Sequence, residues 1–527
     1  MKSLLVNPDL GYLSATPWGI LAIGSYIKHI KGYEIELLDG NVEGEEGLFH
    51  KIRQKLPTLD LLGISAFSSN APFVVNLCKM VKEENRNCKI ILGGPHAILC
   101  PEETIHHPNI DFVAYSDGEE TFAGLMEEME SGRHEWERVP GLLYLDNGSV
   151  VRTVPPTPVE HYPTDYTLLD ERVQATFKGS MDILAGRGCP FKCTFCFNTI
   201  SGQKWRGKPI EMLGEEIKSA VATYDPNRIY FRDELFFHDK KRIKELIDFY
   251  KSNNFRFKWR ASIRATDFRK NILSDEILFE LAEAGCETLK FGFETASDRM
   301  LKKIKKGIQL KDIINTSERF ANLNRDKDRI QLNCSWIVGF PGETYEEMCA
   351  TISLAGQIQM DVPNTHIIGP QNFRIYPGGE LYNTVIEEYD YRVPQSLEGW
   401  AERYLKPENM NGFIDKGVHY PWLSPKAHFI CSNADFFVEF AYNKRFRYID
   451  GYKKRLFEIL RPLVLFRLRH NFFAFPIDLK LACAILDFSI WTFLENSPLY
   501  SRLQENRLYK SFKQTRVFRR LVNPFIG

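Results

Sequence analysis

The sequence predicts an α/β protein with a Rossmann-like, doubly wound parallel sheet, then a partial (β/α)6 barrel, then a helical C-terminal domain. Up to about residue 390, short apolar runs alternate with helical patterns, which is typical of parallel sheets with crossover helices. A proline-rich stretch at Val154–Pro158 divides this alternating pattern into two parts, and the pattern ends after Pro394. We therefore expect a first domain over 1–150, a linker over 151–179, the barrel over 180–390 and the helical domain over 391–527.

The first domain is expected to place a ligand-binding crevice at the carboxyl ends of its strands. Its strands are predicted at Ser3–Asn7, Glu34–Asp39, Leu61–Ala66, Lys89–Leu92 and Phe112–Ala114, with helices such as Phe73–Glu84 and Glu119–Glu130. Turn-forming residues follow four of these strands. No GxGxxG or GxxxxGK[ST] motif occurs at a strand-to-helix turn, which argues against a nicotinamide cofactor or ATP.

The barrel is expected to have six strands whose following loops gather at one end, where barrel active sites are built. The strands are predicted at Asp182–Gly186, Arg228–Phe231, Lys258–Ile263, Thr288–Phe293, Gln331–Val338 and Thr365–Phe373. The helices are predicted at Glu211–Thr223, Lys240–Ser252, Asp275–Ala284, Leu310–Leu323 and Tyr345–Gln357.

Three cysteines, Cys189, Cys193 and Cys196, share one loop with the spacing CxxxCxxC. Iron-sulfur clusters usually take four cysteine thiolates, so three would leave one iron open to a ligand that is not protein. Zinc sites usually repeat CxxC pairs at a distance, and the sequence has no second CxxC. The spacing favours an open-site cluster, with zinc as the alternative.

The loop resembles the signature of the radical S-adenosylmethionine (radical SAM) superfamily, because Arg187-Gly-Cys-Pro190 precedes it and the aromatic Phe195 lies within it. The resemblance implies a 4Fe-4S cluster on the three cysteines. It further implies that S-adenosylmethionine chelates the fourth iron and is cleaved by one electron to a 5'-deoxyadenosyl radical. An external one-electron donor such as flavodoxin or ferredoxin is then expected as a partner.

The same resemblance implies contacts to S-adenosylmethionine from Phe195 and from side chains at strand ends. The strand-end candidates are Asp233, Glu234, Arg264 and Glu294. Surface ion pairing is the alternative for the two adjacent acids, and a structural salt bridge is the alternative for the arginine. Two further elements, Ile337–Glu343 and Tyr376–Tyr382, are also familiar from this family, and Glu343 is expected to begin a helix.

The turns of the first domain, in their order along the chain, resemble the cobalamin-binding domain that precedes many radical SAM cores. The contacts this implies are Asn7, Pro8, Ser65, Ser68, Gly93, Gly94, Pro95, His96, Gly118 and Glu119. The DxHxxG pattern that supplies an axial histidine in some cobalamin proteins is missing. His96 is therefore expected to contact cobalamin without coordinating cobalt.

These resemblances together predict a cobalamin-dependent radical SAM enzyme. Its commonest reaction in the family is methylation of an unactivated carbon, in which methylcobalamin donates the methyl group after hydrogen removal. Cyclisation or rearrangement uses the same parts. A methylthiotransferase would need a second three-cysteine cluster, which the spacing of Cys78, Cys88 and Cys100 does not supply. A cobalamin- or zinc-binding regulatory protein is the alternative outside enzymes.

The formal net charge of zero conceals an asymmetry. Ala441–Gly527 carries 17 Lys and Arg against six Asp and Glu, mixed with aromatic and aliphatic residues. This segment is a candidate for peripheral membrane contact, for contact with a lipid-like substrate, or for a plain helical cap. Asp487 argues against a membrane span at Ile477–Leu494, and no nucleic-acid motif occurs.

The location is expected to be the cytoplasm. The 11 cysteines are too few and too unevenly spaced for a disulfide scaffold, and the N-terminus lacks the pattern of a signal peptide. The substrate is expected to be a small or lipid-like molecule.

Overall fold

The computed structural model describes residues 1–8, 16–159, 161–202, 204–405, 420–442, 452–474 and 476–480. The chain divides into two compact units. The first unit comprises Met1–Phe291, Lys302–Ile308 and Arg374–Trp422. The second unit comprises Gly292–Leu301, Gln309–Phe373 and Leu423–Gly527.

The first unit begins with a seven-stranded sheet in the order β2-β1-β3-β4-β5-β6-β7. Its strands are β1 Ser3–Asn7, β2 Glu36–Asp39, β3 Leu61–Ser65, β4 Lys89–Gly93, β5 Phe112–Ala114, β6 Leu142–Asp146 and β7 Ser149–Arg152. The first five are parallel, as predicted, and each end lies within two residues of its predicted position. The antiparallel hairpin of β6 and β7 was not predicted.

Helices cover both faces of this sheet, which makes it doubly wound. They are α1 Trp18–Tyr26, α2 Gly40–Lys55, α3 Ala71–Glu84, α4 Gly94–Leu99, α5 Pro101–Ile105 and α6 Gly118–Ser131, with a π-helical turn at Ile27–Lys31 after α1. Alternate residues of β1 serve opposite faces, since Leu4 packs with α2 and α3 while Leu5 packs with α1 and α6.

The first unit also holds the beginning of the barrel. Its strands are β8 Met181–Ile183, β9 Gly186–Arg187, β10 Arg206–Gly207, β11 Arg228–Phe231, β12 Lys258–Ile263 and most of β13 Cys286–Glu294. Strands β8, β11, β12 and β13 are parallel neighbours in that order, and β9 and β10 form a short antiparallel ribbon. The helices of this part are α7 Glu171–Gln174, α8 Phe197–Ile200, α9 Ile210–Tyr224, α10 Lys240–Ser252, α11 Thr266–Arg269 and α12 Asp275–Glu283.

The second unit contains the last two barrel strands, β14 Gln331–Val338 and β15 Thr365–Asn372, which pair in parallel. The remaining helices of the chain are α13 Asp298–Lys303, α14 Leu310–Leu323, α15 Tyr345–Asp361, α16 Glu380–Tyr389, α17 Leu397–Leu405, α18 Pro425–Ser432, α19 Ala434–Glu439 and α20 Tyr452–His470. The six strands and five helices predicted for the barrel are thereby confirmed as elements.

Helices dominate the described part of the predicted C-terminal domain. Leu397 and Trp400 of α17 pack into the core formed by α2 and α3, so this helix belongs to the first unit. Most of the basic segment lies outside the described residues, including 481–494 of the apolar stretch. Among the described helices, none is long and apolar enough to cross a membrane. The domain boundaries stay predictions.

Candidate functional site

A cavity of about 370 Å³ opens at the carboxyl ends of β3, β4 and β5 in the first unit. Six of the ten predicted cobalamin contacts line it: Ser65, Gly93, Gly94, Pro95, Gly118 and Glu119. Its floor is apolar, with Leu5, Ile91 and Phe122 among the lining side chains. A large apolar concavity with a few polar groups is the usual form of a cofactor site.

Residues near the cysteine loop line the same cavity. They are Leu184, Arg187, Phe197, Asn198, Arg232 and Glu234. The loops after β8 and β11 therefore complete a site that begins in the N-terminal sheet. Of these residues, the sequence had singled out only Glu234 as a ligand contact. Arg187, Phe197 and Asn198 could have been predicted from their position in the sequence, since they lie within two residues of a cysteine of the loop.

Four predicted cobalamin contacts, Asn7, Pro8, Ser68 and His96, are not among the residues lining this cavity. The Asn7 amide donates to Asp39 Oδ1 at 2.9 Å. The His96 ring is 1% exposed, its Nδ1 lies 2.9 Å from Ser68 Oγ, and its centroid lies 6.0 Å from that of Trp400 on α17. Burial lowers the pKa of His96 to about 4. The ring is a neutral packing group beneath the β4 turn.

The cysteine loop is held from two sides. Thr194 donates its backbone N–H to the carbonyl of Ile304 at 3.0 Å, and Cys196 donates to the carbonyl of Cys193 at 3.1 Å. On the other side, a Cβ added at Gly379 would lie 3.2 Å from Ile200 and 3.3 Å from the carbonyl oxygen of Thr194. The glycines of the predicted Tyr376–Tyr382 element thus allow close approach to the loop.

The three thiols interact electrostatically but do not converge on one point. Burial raises the pKa of Cys189 and of Cys196, and charge repulsion from Cys193 raises both further. Among the described residues, no three His, Cys, Asp or Glu side chains are grouped to hold a single metal ion. Three thiolates on one zinc would lie about 3.8 Å apart. In a 4Fe-4S cluster each cysteine binds a different iron, so the three sulfurs of a cluster loop need not meet at one point.

Arg264, at the end of β12, lies against the cysteine loop. Its guanidinium carbon is 3.6 Å from the centre of the Phe191 ring, and its Nη1 is 4.0 Å from Cys193 Sγ. It also donates to the carbonyl of Lys306. Phe195 faces the same segment, with Lys306 Nζ 5.8 Å from its ring centre. These contacts brace the loop.

The two adjacent acids after β11 have different environments. Asp233 is 3% exposed and accepts the backbone N–H of Ala185 at 3.0 Å. Burial raises its pKa to about 8. Glu234 is exposed and lines the cavity. Successive side chains point in opposite directions along an extended chain, which separates the acids. Glu234 faces the cavity, whereas Asp233 links the ends of β8 and β11 through its hydrogen bond with Ala185.

Two predicted family elements lie in the second unit. Glu294 ends β13, is 5% exposed and has φ +66°, a left-handed conformation that non-glycine residues seldom adopt. Strain of this kind concentrates at functional sites. Glu343 accepts the backbone N–H groups of Gly339 and Phe340 at 2.7 and 3.1 Å. It therefore fixes the turn after β14 rather than beginning a helix, since Thr344 caps α15.

Comparison with known proteins identifies the family. A model of the radical SAM superfamily matches residues 183–355, and a model of the B12 binding domain matches residues 12–126. An uncharacterized methyltransferase of Pyrococcus horikoshii is 32% identical over 452 residues, covering 81% of this chain and 93% of the relative. The chain belongs to the cobalamin-dependent radical SAM enzymes.

Other similarities agree with this membership. An anaerobic magnesium-protoporphyrin IX monomethyl ester cyclase of Synechocystis is 25% identical, over 64% of this chain and 69% of the cyclase. The radical SAM methyltransferase TsrM from Kitasatospora setae, solved with cobalamin and a 4Fe-4S cluster, matches with a TM-score of 0.64. That match is 15% identical and covers 92% of this chain and all of the other. The likeness to TsrM shows a shared fold.

Membership in this family implies three cofactors, a 4Fe-4S cluster, S-adenosylmethionine and cobalamin, and the residues present fit them. Around the cysteine loop, three buried donors have no hydrogen-bond partner among the described residues: Thr194 Oγ1, Thr199 Oγ1 and Arg264 Nε. In the cavity, the buried Trp18 Nε1 likewise lacks a partner in the described chain. Buried donors left unpaired by protein are expected where a polar ligand belongs.

Proposed function

We propose that this enzyme methylates an unactivated carbon of a small or lipid-like molecule, using two equivalents of S-adenosylmethionine per turnover. The observation that supports this is that one cavity is lined both by the strand ends of the B12-binding domain and by residues near the cysteine loop, namely Arg187, Phe197 and Glu234. A methyl carrier and a radical source would then face one substrate. The relative that is 32% identical is also described as a methyltransferase.

In this proposal the protein's own residues bind and orient the substrate, and they exclude water from it. When bound, the cluster and S-adenosylmethionine supply a carbon-centred radical, and cobalamin supplies a transferable methyl group. Leu5, Ile91 and Phe122 form an apolar floor that keeps water away from reactive carbon. Arg232 and Glu234, both exposed at the end of β11, offer one charge of each sign to a polar substrate group.

We further propose that S-adenosylmethionine is contacted by Phe195, Glu234 and Arg264 of the first unit. For Glu294, the resemblance of its strand end to the family's element alone supports a part in binding this cofactor. A carboxylate accepts strongly from ribose hydroxyls, and a guanidinium matches a carboxylate with two donors. The orphaned Nε of Arg264 supports its inclusion. For Asp233 we propose a supporting part, through Ala185, in place of direct contact.

A radical SAM cyclase or rearrangement enzyme is the second candidate, because the Synechocystis relative is named a cyclase. A methylthiotransferase is disfavoured. Cys78, Cys88 and Cys100 are each at most 2% exposed, and burial raises the pKa of each to about 12. Thiols held in an apolar core are poor ligands for a second cluster.

Product ratios distinguish the candidates. Anaerobically reconstituted protein is given hydroxocobalamin, a one-electron reductant, a cell extract of small molecules and S-adenosylmethionine with a deuterated methyl group. Methylation predicts equal amounts of 5'-deoxyadenosine and S-adenosylhomocysteine, and a product that gains the labelled methyl group. Cyclisation predicts 5'-deoxyadenosine with neither S-adenosylhomocysteine nor label. The second result would overturn the methyltransferase proposal.

For partners and location, the proposals are an external electron donor such as flavodoxin or ferredoxin, and the cytoplasm. The ten described cysteines are free thiols, which suits a reducing compartment. We also propose peripheral membrane contact by the basic C-terminal segment. It is supported by exposed apolar residues on α20, which lies in that segment, including Ile459 and Phe466.

A further inference from the structure

Two ion pairs join the start of α6 to the ribbon of β9 and β10. Arg187 Nη1 donates to Glu119 Oε1 at 2.5 Å, and Arg206 Nη2 donates to Asp117 Oδ2 at 2.6 Å. The two arginines are direct cross-strand partners in the ribbon. The two acids, separated by Gly118, lie at the beginning of the helix. The two ion pairs together form a clamp that connects the start of α6 to the ribbon at two points.

Tyr162 completes the clamp. Its hydroxyl donates to Glu119 Oε1 at 2.6 Å and lies 2.9 Å from Arg187 Nη2. Burial acts to raise the pKa of Glu119, but the charge of Arg187 and the hydrogen bonds outweigh it and hold that pKa below its usual value. The Glu119 side chain is 3% exposed. Removing Arg187 would leave the buried Glu119 carboxylate without its cationic partner, which is costly.

The clamp touches both cofactor regions. Glu119 and Asp117 line the cavity at the strand ends of the B12-binding domain. Arg187 lies two residues before Cys189, and only Gly188, whose φ of +74° suits glycine, stands between them. A shift of α6 at the cavity would therefore move the start of the cysteine loop directly.

We propose that Glu119, Asp117, Arg187, Arg206 and Tyr162 form a latch that couples cobalamin binding to the position of the cysteine loop. These are positioning residues. The inference depends on the cofactors and not on methyl transfer, so it would hold equally for a cyclase. By linkage, if bound cobalamin stabilises the latched position of the cysteine loop, that position must favour cobalamin binding by the same free energy.

Hydrogen exchange tests the latch without measuring activity. The reconstituted protein is compared with and without saturating hydroxocobalamin, and deuterium uptake is followed in peptides covering residues 186–200. In the wild type, hydroxocobalamin is expected to slow exchange there by about fivefold or more, the lower end of typical coupling. No slowing in the wild type would overturn the proposal.

The variants Arg206→Gln and Tyr162→Phe change latch residues that do not line the cofactor cavity, so cobalamin contacts stay in place. Absorbance titration with hydroxocobalamin checks this separately. Both variants are expected to bind hydroxocobalamin but to lose most of the slowing of hydrogen exchange that it causes in residues 186–200. Arg187→Lys, which keeps the charge but not the fork of donors, is expected to retain part of it.

Glu128→Gln is the matched control. Glu128 lies on the same helix, is buried, and pairs with Arg133 at 2.8 Å, away from the ribbon. It is expected to keep the full wild-type slowing. The latch is contradicted if Arg206→Gln and Tyr162→Phe both keep that slowing, or if Glu128→Gln loses as much as they do. Loss of hydroxocobalamin binding in both latch variants would also contradict it, because they would then belong to the binding site itself.

Discussion

At the residue scale, the thiols of the cysteine loop carry the first prediction. Changing Cys189, Cys193 and Cys196 together to Ala is expected to abolish the brown absorbance and the bound iron and sulfide, because the other seven described cysteines are all buried and none of them shares a loop with the spacing of cluster ligands. Iron and sulfide analysis after anaerobic reconstitution measures this. Cys88→Ala, in the core of the first unit, is the control and should keep the cluster. A triple variant with wild-type iron would refute the assignment.

His96 provides a second prediction. His96→Ala is expected to retain the absorbance spectrum of bound cobalamin, because the ring packs on Trp400 and contacts Ser68 outside the cavity. The protein should lose about 2 kcal/mol of stability through the lost packing. A changed cobalt spectrum in the variant would show that the histidine is an axial ligand after all.

The buried carboxyl of Asp233 is expected to make the stability of the protein depend on pH. Its pKa is about 8 in the fold, raised by burial above the value of an unfolded chain. The stability it contributes is therefore complete below about pH 4 and is lost as the pH rises towards 8. Asp233→Asn should remove this dependence, flattening the fall in unfolding free energy by up to about 1.4 kcal/mol per pH unit.

Urea titrations of the wild type and Asp233→Asn at pH 5, 6, 7 and 8 measure that slope. Asp248→Asn, an exposed position on α10, is the control and should leave the slope unchanged. Parallel slopes for Asp233→Asn and the wild type would mean that the buried carboxyl is ionised throughout the range.

From the sequence, the chemical role of these residue types could be predicted better than the positions of the side chains in the fold. The cysteine spacing was readable because all three ligands lie in one short segment. Asp233 and Glu234 were indistinguishable as neighbours, since only the fold decides which one meets Ala185. The contact of Arg187 with Glu119 joins residues 68 positions apart, and no local pattern encodes such a pair.

At the scale of elements, a further prediction concerns the turn after β4, where glycine allows a close approach to β3. Gly94 has φ +85°, and a Cβ there would lie 2.9 Å from both the backbone nitrogen of Ala66 and Ser65 Oγ. Gly94→Ala is expected to cost about 3 kcal/mol from strain and overlap, and to weaken cobalamin binding by spreading β3 from β4.

A glycine with similar backbone but open surroundings separates the two causes. Gly132, after α6, has φ +67° and nothing within 4 Å of an added Cβ. Gly132→Ala should cost only about 1 kcal/mol and leave cobalamin binding unchanged. Melting curves and hydroxocobalamin titrations of both variants measure these effects. Equal losses in the two variants would exclude the close approach at Gly94 as the cause.

Elements with strong burial were predictable, and short ones were not. Strands β1 and β5 match their predictions because every residue in them is buried, so the apolar run has the length of the strand. The hairpin of β6 and β7 was missed although Asn147 and Gly148 supply its turn, with φ +47° and +82°. The two-residue strands β9 and β10 are too short for any periodicity to reveal.

At the scale of the whole molecule, charge is divided unevenly along the chain. Ala441–Gly527 carries +11 and the remainder −11, since 17 basic residues there meet six acidic ones. In the described part of this segment, Ile459, Leu463 and Phe466 of α20 are 69%, 53% and 55% exposed and recur at helical spacing. An exposed apolar stripe on a basic helix is suited to an anionic membrane surface.

The last prediction is that the enzyme sediments with anionic vesicles and not with neutral ones, and that binding weakens as salt is raised. Each basic residue near the surface contributes about 1 kcal/mol, and the attraction fades over about 10 Å at 0.1 M salt. Serine at Ile459, Leu463 and Phe466 should weaken binding at low salt. Serine at Phe279 and Ile314, exposed apolar residues elsewhere, should not. Equal partitioning to both vesicle types, or to neither, would leave α20 as part of a structural cap whose apolar stripe serves another contact.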